Sequence, residues 1–245
     1  MGERQGRKVK LLVINPNISE SVTRLIGDEA RRAASPGTEL TLVTAPLGVA
    51  YIETRLEAVI GAYASLVSLA ENLGKHDAVI IAAFGDPGLP ALREAIDRPV
   101  VGLTEAALAA ASPLGQRFSI IAISQRITAW YRETVDSYKM AERLASIRAL
   151  DQPIRDIGEV QDEHAARLKA LCTRAIEEDG AQVLILAGAP LAGLARRIEG
   201  ELPVPLVDPI ASAVRLAETS RAGAFTPPPH KANAGLPEPL RRLLA

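Results

Sequence analysis

Chemistry on a small molecule needs ionisable or hydrogen-bonding side chains at loop positions, and this chain places few of them there. The stretch VIIAAFGDPGL, Val79 to Leu89, reads as a buried strand running into a loop, and Asp86 is the loop's one ionisable group. Asp86 before Pro87 suits a helix cap with proline at the first helical position, and equally an acid–base role. Asn15-Pro16-Asn17-Ile18-Ser19 offers two amides and a hydroxyl where a first strand gives way to a helix. Exposed N–H groups at such a helix start attract a carboxylate or phosphate, but Asn and Ser are also preferred caps, so the segment admits both roles. GAPLAGLA, Gly188 to Ala195, carries no nucleophile, acid or base. Gly188, Ala189, Pro190 and Leu191 either let the backbone approach an oxyanion or form a tight turn that packs a helix on a strand.

Other polar groups recur at matching places. Thr104 and Glu105 follow Gly102, Asp208-Pro209 repeats the Asp-Pro pattern, and Ser124-Gln125 stand where Asn15-Pro16-Asn17 stand earlier in the chain. Ser124 has no histidine near it in sequence to act as a base. Cys172, the single cysteine, shares a helical stripe with Leu168, Leu171, Ala175 and Ile176, which marks it as core. His76 precedes a strand at the far end of a sheet, His164 lies on a helix and His230 in the tail, so no metal site is expected. GxxxxGK[ST] and GxGxxG are both absent, and no cofactor is expected.

The elements that must position these groups alternate as strand and helix, the pattern of a parallel α/β architecture. Strands are predicted at Lys10–Ile14, Glu39–Thr44, Ala78–Ala82 and from Pro99, then at Phe118–Ile123, Ala145–Leu150, Val183–Leu186 and Val204–Val207. Helices are predicted over Glu20–Ala34, Thr54–Leu73, Ile127–Met140 and Gly158–Glu178. The order repeats. VIIA (Val79–Ala82) matches VLIL (Val183–Leu186), and PVVGLTEAAL (Pro99–Leu108) matches PLVDPIASAV (Pro205–Val214). Two similar lobes related by a pseudo-twofold follow, the first built from 1–103 plus 205–222 and the second from 104–204, with a Pro-rich tail at 223–245. Ligands of open parallel sheets bind beyond the C-terminal strand ends, so the loops named above should line a cleft between the lobes.

Composition narrows the partners. With 48% hydrophobic and 23% charged residues the chain can bury a sizeable core, and a net charge of −1 argues against nucleic acid or a membrane surface. No apolar run approaches a membrane span, and MGERQGRKVK lacks the apolar stretch of a signal peptide, so a cytoplasmic protein is expected. A small-molecule substrate and a homo-oligomer complete the expectation.

KLLVINPNIS, YIETR, IIAAFGDPGL, PVVGLTEAA, LILAGAPLAGLA and PVPLVDPIASAV, in that order, are similar to the Asp/Glu/hydantoin racemase superfamily, nearest its hydantoin and allantoin racemases. The resemblance implies two flavodoxin-like lobes around one site, and it runs to about Ala222. It also implies a pair of cysteines on opposite faces of the substrate, one removing a proton as thiolate and the other returning one. Those cysteines would stand at Ala83, before Phe84 and Gly85, and at Ala189. Alanine neither accepts nor donates a proton, so that mechanism cannot run here. GAPLAGLA departs from the family's GCAGMA beyond the cysteine alone, which argues for a natural branch with chemistry of its own. Asp86 and Glu105 are then the candidate bases, Tyr51 and Ser124 the candidate donors. Asn15, Asn17, Ser19, Thr104, Gln125 and Asp208 would help to bind the ligand. The implied activity is a cofactor-independent isomerase or racemase on a hydantoin-type cyclic amide or amino-acid derivative. A lyase or ring-opening hydrolase, or a non-catalytic binder, are the alternatives.

Overall fold

Apolar runs become strands buried on both faces, and amphipathic segments become the helices that cover them. The computed structural model describes residues 8–72, 74, 76–220 and 231–244. The first lobe comprises β1 (Lys10–Asn15), α1 (Glu20–Ala33), β2 (Glu39–Thr44), α2 (Arg55–Glu71), β3 (Ala78–Ile81), α3 (Leu89–Ala95) and β4 (Val100–Gly102). After α4 (Leu103–Ala111), the second lobe comprises β5 (Phe118–Ala122), α5 (Thr128–Ser137), β6 (Leu144–Ala149), α6 (Val160–Glu163), α7 (Ala165–Glu177), β7 (Val183–Leu186), α8 (Leu194–Arg197) and β8 (Leu206–Val207). α9 (Pro209–Thr219) and α10 (Glu238–Leu243) close the chain.

Each lobe has one four-stranded sheet, in the orders β2-β1-β3-β4 and β6-β5-β7-β8, and every pair is parallel. The two orders are the same, which is the duplication read from the sequence. Period-two alternation sorts the side chains of the first sheet: Leu11, Val13 and Ile80 join a cluster that continues into the second lobe through Ile120 and Ile185, while Leu12, Ile14, Val79 and Ile81 pack with Leu69 and Leu89 on the other face. Local signals set the helix starts. Ser19 caps α1 by accepting from Val22 N–H, and Thr54 with Glu57 forms a capping box on α2.

The lobes are crossed rather than side by side. α4 leaves β4 and packs against β7, β8 and α9, while α9 leaves β8 and packs against α1, β3 and β4. The expected return of 205–222 to the first lobe is therefore split. β8 pairs with β7 in the second sheet, and only the helix after it crosses over. The helix predicted over Gly158–Glu178 begins at Val160 and breaks at His164 (φ −118°, ψ 18°), although no Pro or Gly marks the break. The Pro-rich tail expected at 223–245 is described from residue 231 to 244. Residues 221–230, His230 among them, lie outside the described residues, and α10 beyond them packs Leu240 against Val67 and Ala70 of α2. No described helix is long and apolar enough to cross a membrane.

Candidate functional site

Loops at the C-terminal strand ends of one lobe meet helices of the other. The loop after β3 packs on α5: the Phe84 and Tyr131 rings lie 4.7 Å apart at 58°, and Tyr138 Oη donates to Asp86 Oδ2 at 2.8 Å. The loop after β7, a 3-10 turn at Ala189–Leu191, packs on α1. Since α5 and α1 hold equivalent places in the two lobes, this is one contact made twice. Ala83 and Ala189, the positions where the resemblance puts thiols, are both buried beside these contacts.

Asp86 does not cap the helix that follows it. It has φ 49°, Gly88 is the N-cap of α3, and the proline of the first turn is Pro90 rather than Pro87. Its carboxylate instead crosses to α4, accepting from Thr104 N–H (2.8 Å) and Glu105 N–H (3.1 Å). The N-cap of α4 is Gly102, and a Cβ there would fall under 3.0 Å from the Asp86 carboxyl. Asp86 thus fills the space of the missing cap side chain. In the second lobe Asp208 is itself the N-cap of α9, accepting from Ile210 and Ala211 N–H at 2.8 and 3.0 Å, and its other oxygen accepts from Gly193 N–H at 2.6 Å. Both lobes therefore hold one carboxylate on a helix N-terminus, supplied from different loops. Burial outweighs the hydrogen bonds at both: it pushes Asp86 up to about 6 and shifts Asp208 upward.

Asn15 Nδ2 donates to Asn17 Oδ1 (3.0 Å) and Thr23 Oγ1 (2.9 Å), and Ser19 N–H donates to Asn17 Oδ1 (2.9 Å), so the NPNIS amides brace the start of α1. Thr104 Oγ1 accepts from Gly85 N–H at 2.7 Å. Glu105 accepts from Arg93 (2.5 Å) and from Gly102 N–H (3.0 Å). Ser124 Oγ accepts from Arg126 N–H at 3.3 Å, and Gln125 Nε2 donates to Ala149 O at 2.9 Å. Tyr51, Ser124 and Gln125 line a groove of about 470 Å³ with Glu53, Arg126 and the 150–154 segment. That volume is within the range of small-molecule pockets. Burial, then the carboxylates of Glu53 and Glu57, raise the Tyr51 phenol. A groove of about 550 Å³ runs between β6 and α7, but Arg148 there is bound by Glu178 and Asp179. Among the described residues no cluster of three or more His, Cys, Asp or Glu is placed to hold a metal ion.

Three aromatic residues and one amide were missed in the sequence. Trp130 covers Gly85, Tyr138 binds Asp86 and Tyr131 lies between the two loops. Gln161 holds the second loop by donating to Pro190 O and Ala192 O, both at 2.9 Å. The signal for Tyr131 was present: Ile127, Tyr131 and Val135 repeat at helical spacing and are all buried, which sets a phenol on a core stripe. Gly85 (φ 97°) has no room for a side chain, since a Cβ would fall under 3.0 Å from the Trp130 ring. Gly85→Ala is expected to cost about 2–4 kcal/mol in urea denaturation, from overpacking and a left-handed backbone. Adding Trp130→Ala should recover the overpacking part alone; no recovery at all would put the constraint elsewhere.

Paired parallel sheets of one order, with a strand-end loop of each packed on a helix of the other lobe, define the two-lobed racemase-type α/β fold. The family model for Asp/Glu/Hydantoin racemase matches residues 11–217. A hydantoin racemase of Paenarthrobacter aurescens is 37% identical over 235 residues, covering 91% of this chain and 99% of its own. The structure of allantoin racemase from Klebsiella pneumoniae superposes with a TM-score of 0.88 at 32% identity, covering 96% of this chain and 98% of that one. Allantoin racemase from Pseudomonas fluorescens gives 0.84 at 31%, covering 92% and 100%. This chain belongs to the Asp/Glu/hydantoin racemase family.

Proposed function

We propose that the protein is a cofactor-independent isomerase that moves a proton at the stereocentre of a hydantoin-type cyclic amide without cysteine chemistry. What supports this reading is that loops 82–88 and 187–193 both approach Tyr131, through Phe84 and Gly188, in a chain 37% identical to a hydantoin racemase over 91% of its length. The ring C–H of such a substrate lies beside a carbonyl, so its proton is acidic enough for a carboxylate of raised pKa to remove. Asp86 is held by α4 and Tyr138, and burial pushes it up to about 6, within reach of neutral pH. Glu105 is committed to Arg93, and no hydrogen bond ties Ser124 to a base. Cys172 is buried and its thiol is pushed up to about 12, which makes it unreactive.

The test is incubation of a panel of 5-substituted hydantoins in D₂O, followed by mass spectrometry and NMR. Deuterium should enter at the stereocentre, more slowly in Asp86→Asn and at the same rate in Cys172→Ser. Absence of exchange across the panel would refute the reading. Alanine at 83 and 189 favours a second reading, a non-catalytic binder of the same ligands. Ligand-induced stabilisation without exchange is its signature.

A further inference from the structure

Tyr131 is 3% exposed, and its ring is held by Phe84 at 4.7 Å and Trp130 at 5.6 Å between centroids. Its hydroxyl stands 3.9 Å from the point where a Cβ on Gly188 would be, so the phenol reaches from the first-lobe loop to the second. Asp86, whose charge acts on the phenol, is committed to α4 and Tyr138, and Thr104 of the same helix to Gly85. The Tyr131 hydroxyl has no hydrogen-bond partner among the described residues. The ring is packed on both sides, while the oxygen is not one of the buried atoms left without a partner; it keeps contact with solvent-accessible space beside the Gly188 turn.

We propose that the Tyr131 hydroxyl donates a hydrogen bond to a carbonyl oxygen of the ligand beside the Gly188 turn, a contact that rests on the cyclic-amide reading above. Burial and the Asp86 charge keep the phenol protonated, so it acts as a donor. When a base takes the ring proton, the C–H electron pair moves onto that carbonyl oxygen, and a donor already aimed at it lowers the barrier.

Tyr131→Phe keeps the ring and removes only the oxygen. Calorimetric titration with unsubstituted hydantoin should show binding about tenfold or more weaker than wild type, the size expected when a designed hydrogen bond is lost. The melting midpoint without ligand should stay at or above that of wild type. Equal affinities in the two proteins would overturn the proposal, and so would a midpoint lowered by several degrees, which would make the hydroxyl structural. If wild type itself binds no hydantoin, the cyclic-amide reading fails separately. The midpoint then decides for Tyr131: an unchanged or raised value supports a donor held free for another ligand, and a fall of several degrees overturns it.

Discussion

Ala83→Cys combined with Ala189→Cys is expected to raise proton exchange at the stereocentre of a hydantoin by about 10²–10⁴-fold over wild type, the usual reach of a placed acid–base group. The two positions are the ends of loops carried by opposite sheets. Ala83 follows β3, and Ala189 opens the 3-10 turn after β7. Each thiol adds one sulfur to a small side chain, so the loop backbones need not move. Each single substitution should give a smaller gain biased toward one enantiomer, because one face of the ring would then still lack a proton carrier. Chiral chromatography of both hydantoin enantiomers measures this directly. A double variant that folds, binds hydantoin and shows no gain would mean that the ligand does not lie between these loops.

Asp86 yields the second large effect. Its carboxyl titrates near 3.8 when unfolded and at about 6 when folded. Between those values the folded chain holds the extra proton, so stability falls as pH rises from about 4 to about 6 and is level above. At 1.36 kcal/mol per unit, the fall is about 3 kcal/mol. Asp86→Asn should flatten that slope. Asp208 shifts the same way, so some slope remains. Below pH 4 the wild-type carboxyl is itself neutral, so the variant should differ there by only about 1 kcal/mol, the worth of one hydrogen bond. Urea denaturation from pH 4 to 7 measures both effects, and an unchanged slope in Asp86→Asn would refute the assignment.

The strands and the duplication were legible because parallel strands buried on both faces are written as apolar runs, and VIIA and VLIL are such runs. Asp208 before Pro209 was legible as a cap because cap and helix are adjacent. Asp86 was misread for the opposite reason. Its partner helix starts at Leu103, and nothing local shows that Gly102 leaves a gap for a carboxylate from another loop. The bounds read from the sequence put 104–204 in the second lobe and 205–222 in the first; α4 does cover the second sheet and α9 the first, but β8 stays with β7, so the choice of the opposite sheet is made by each helix alone.

That choice ties the folding of each half to the other. Each lobe is capped by the helix grown from its counterpart, so a half-length chain folding alone would lack one of its own covering layers. The arrangement is that of a domain-swapped dimer whose two copies have been joined end to end. Hinge-like parting of the lobes would strip α4 and α9 from their seats at once, so it costs far more than a local opening of one loop. The two halves should accordingly melt in a single cooperative transition rather than one after the other.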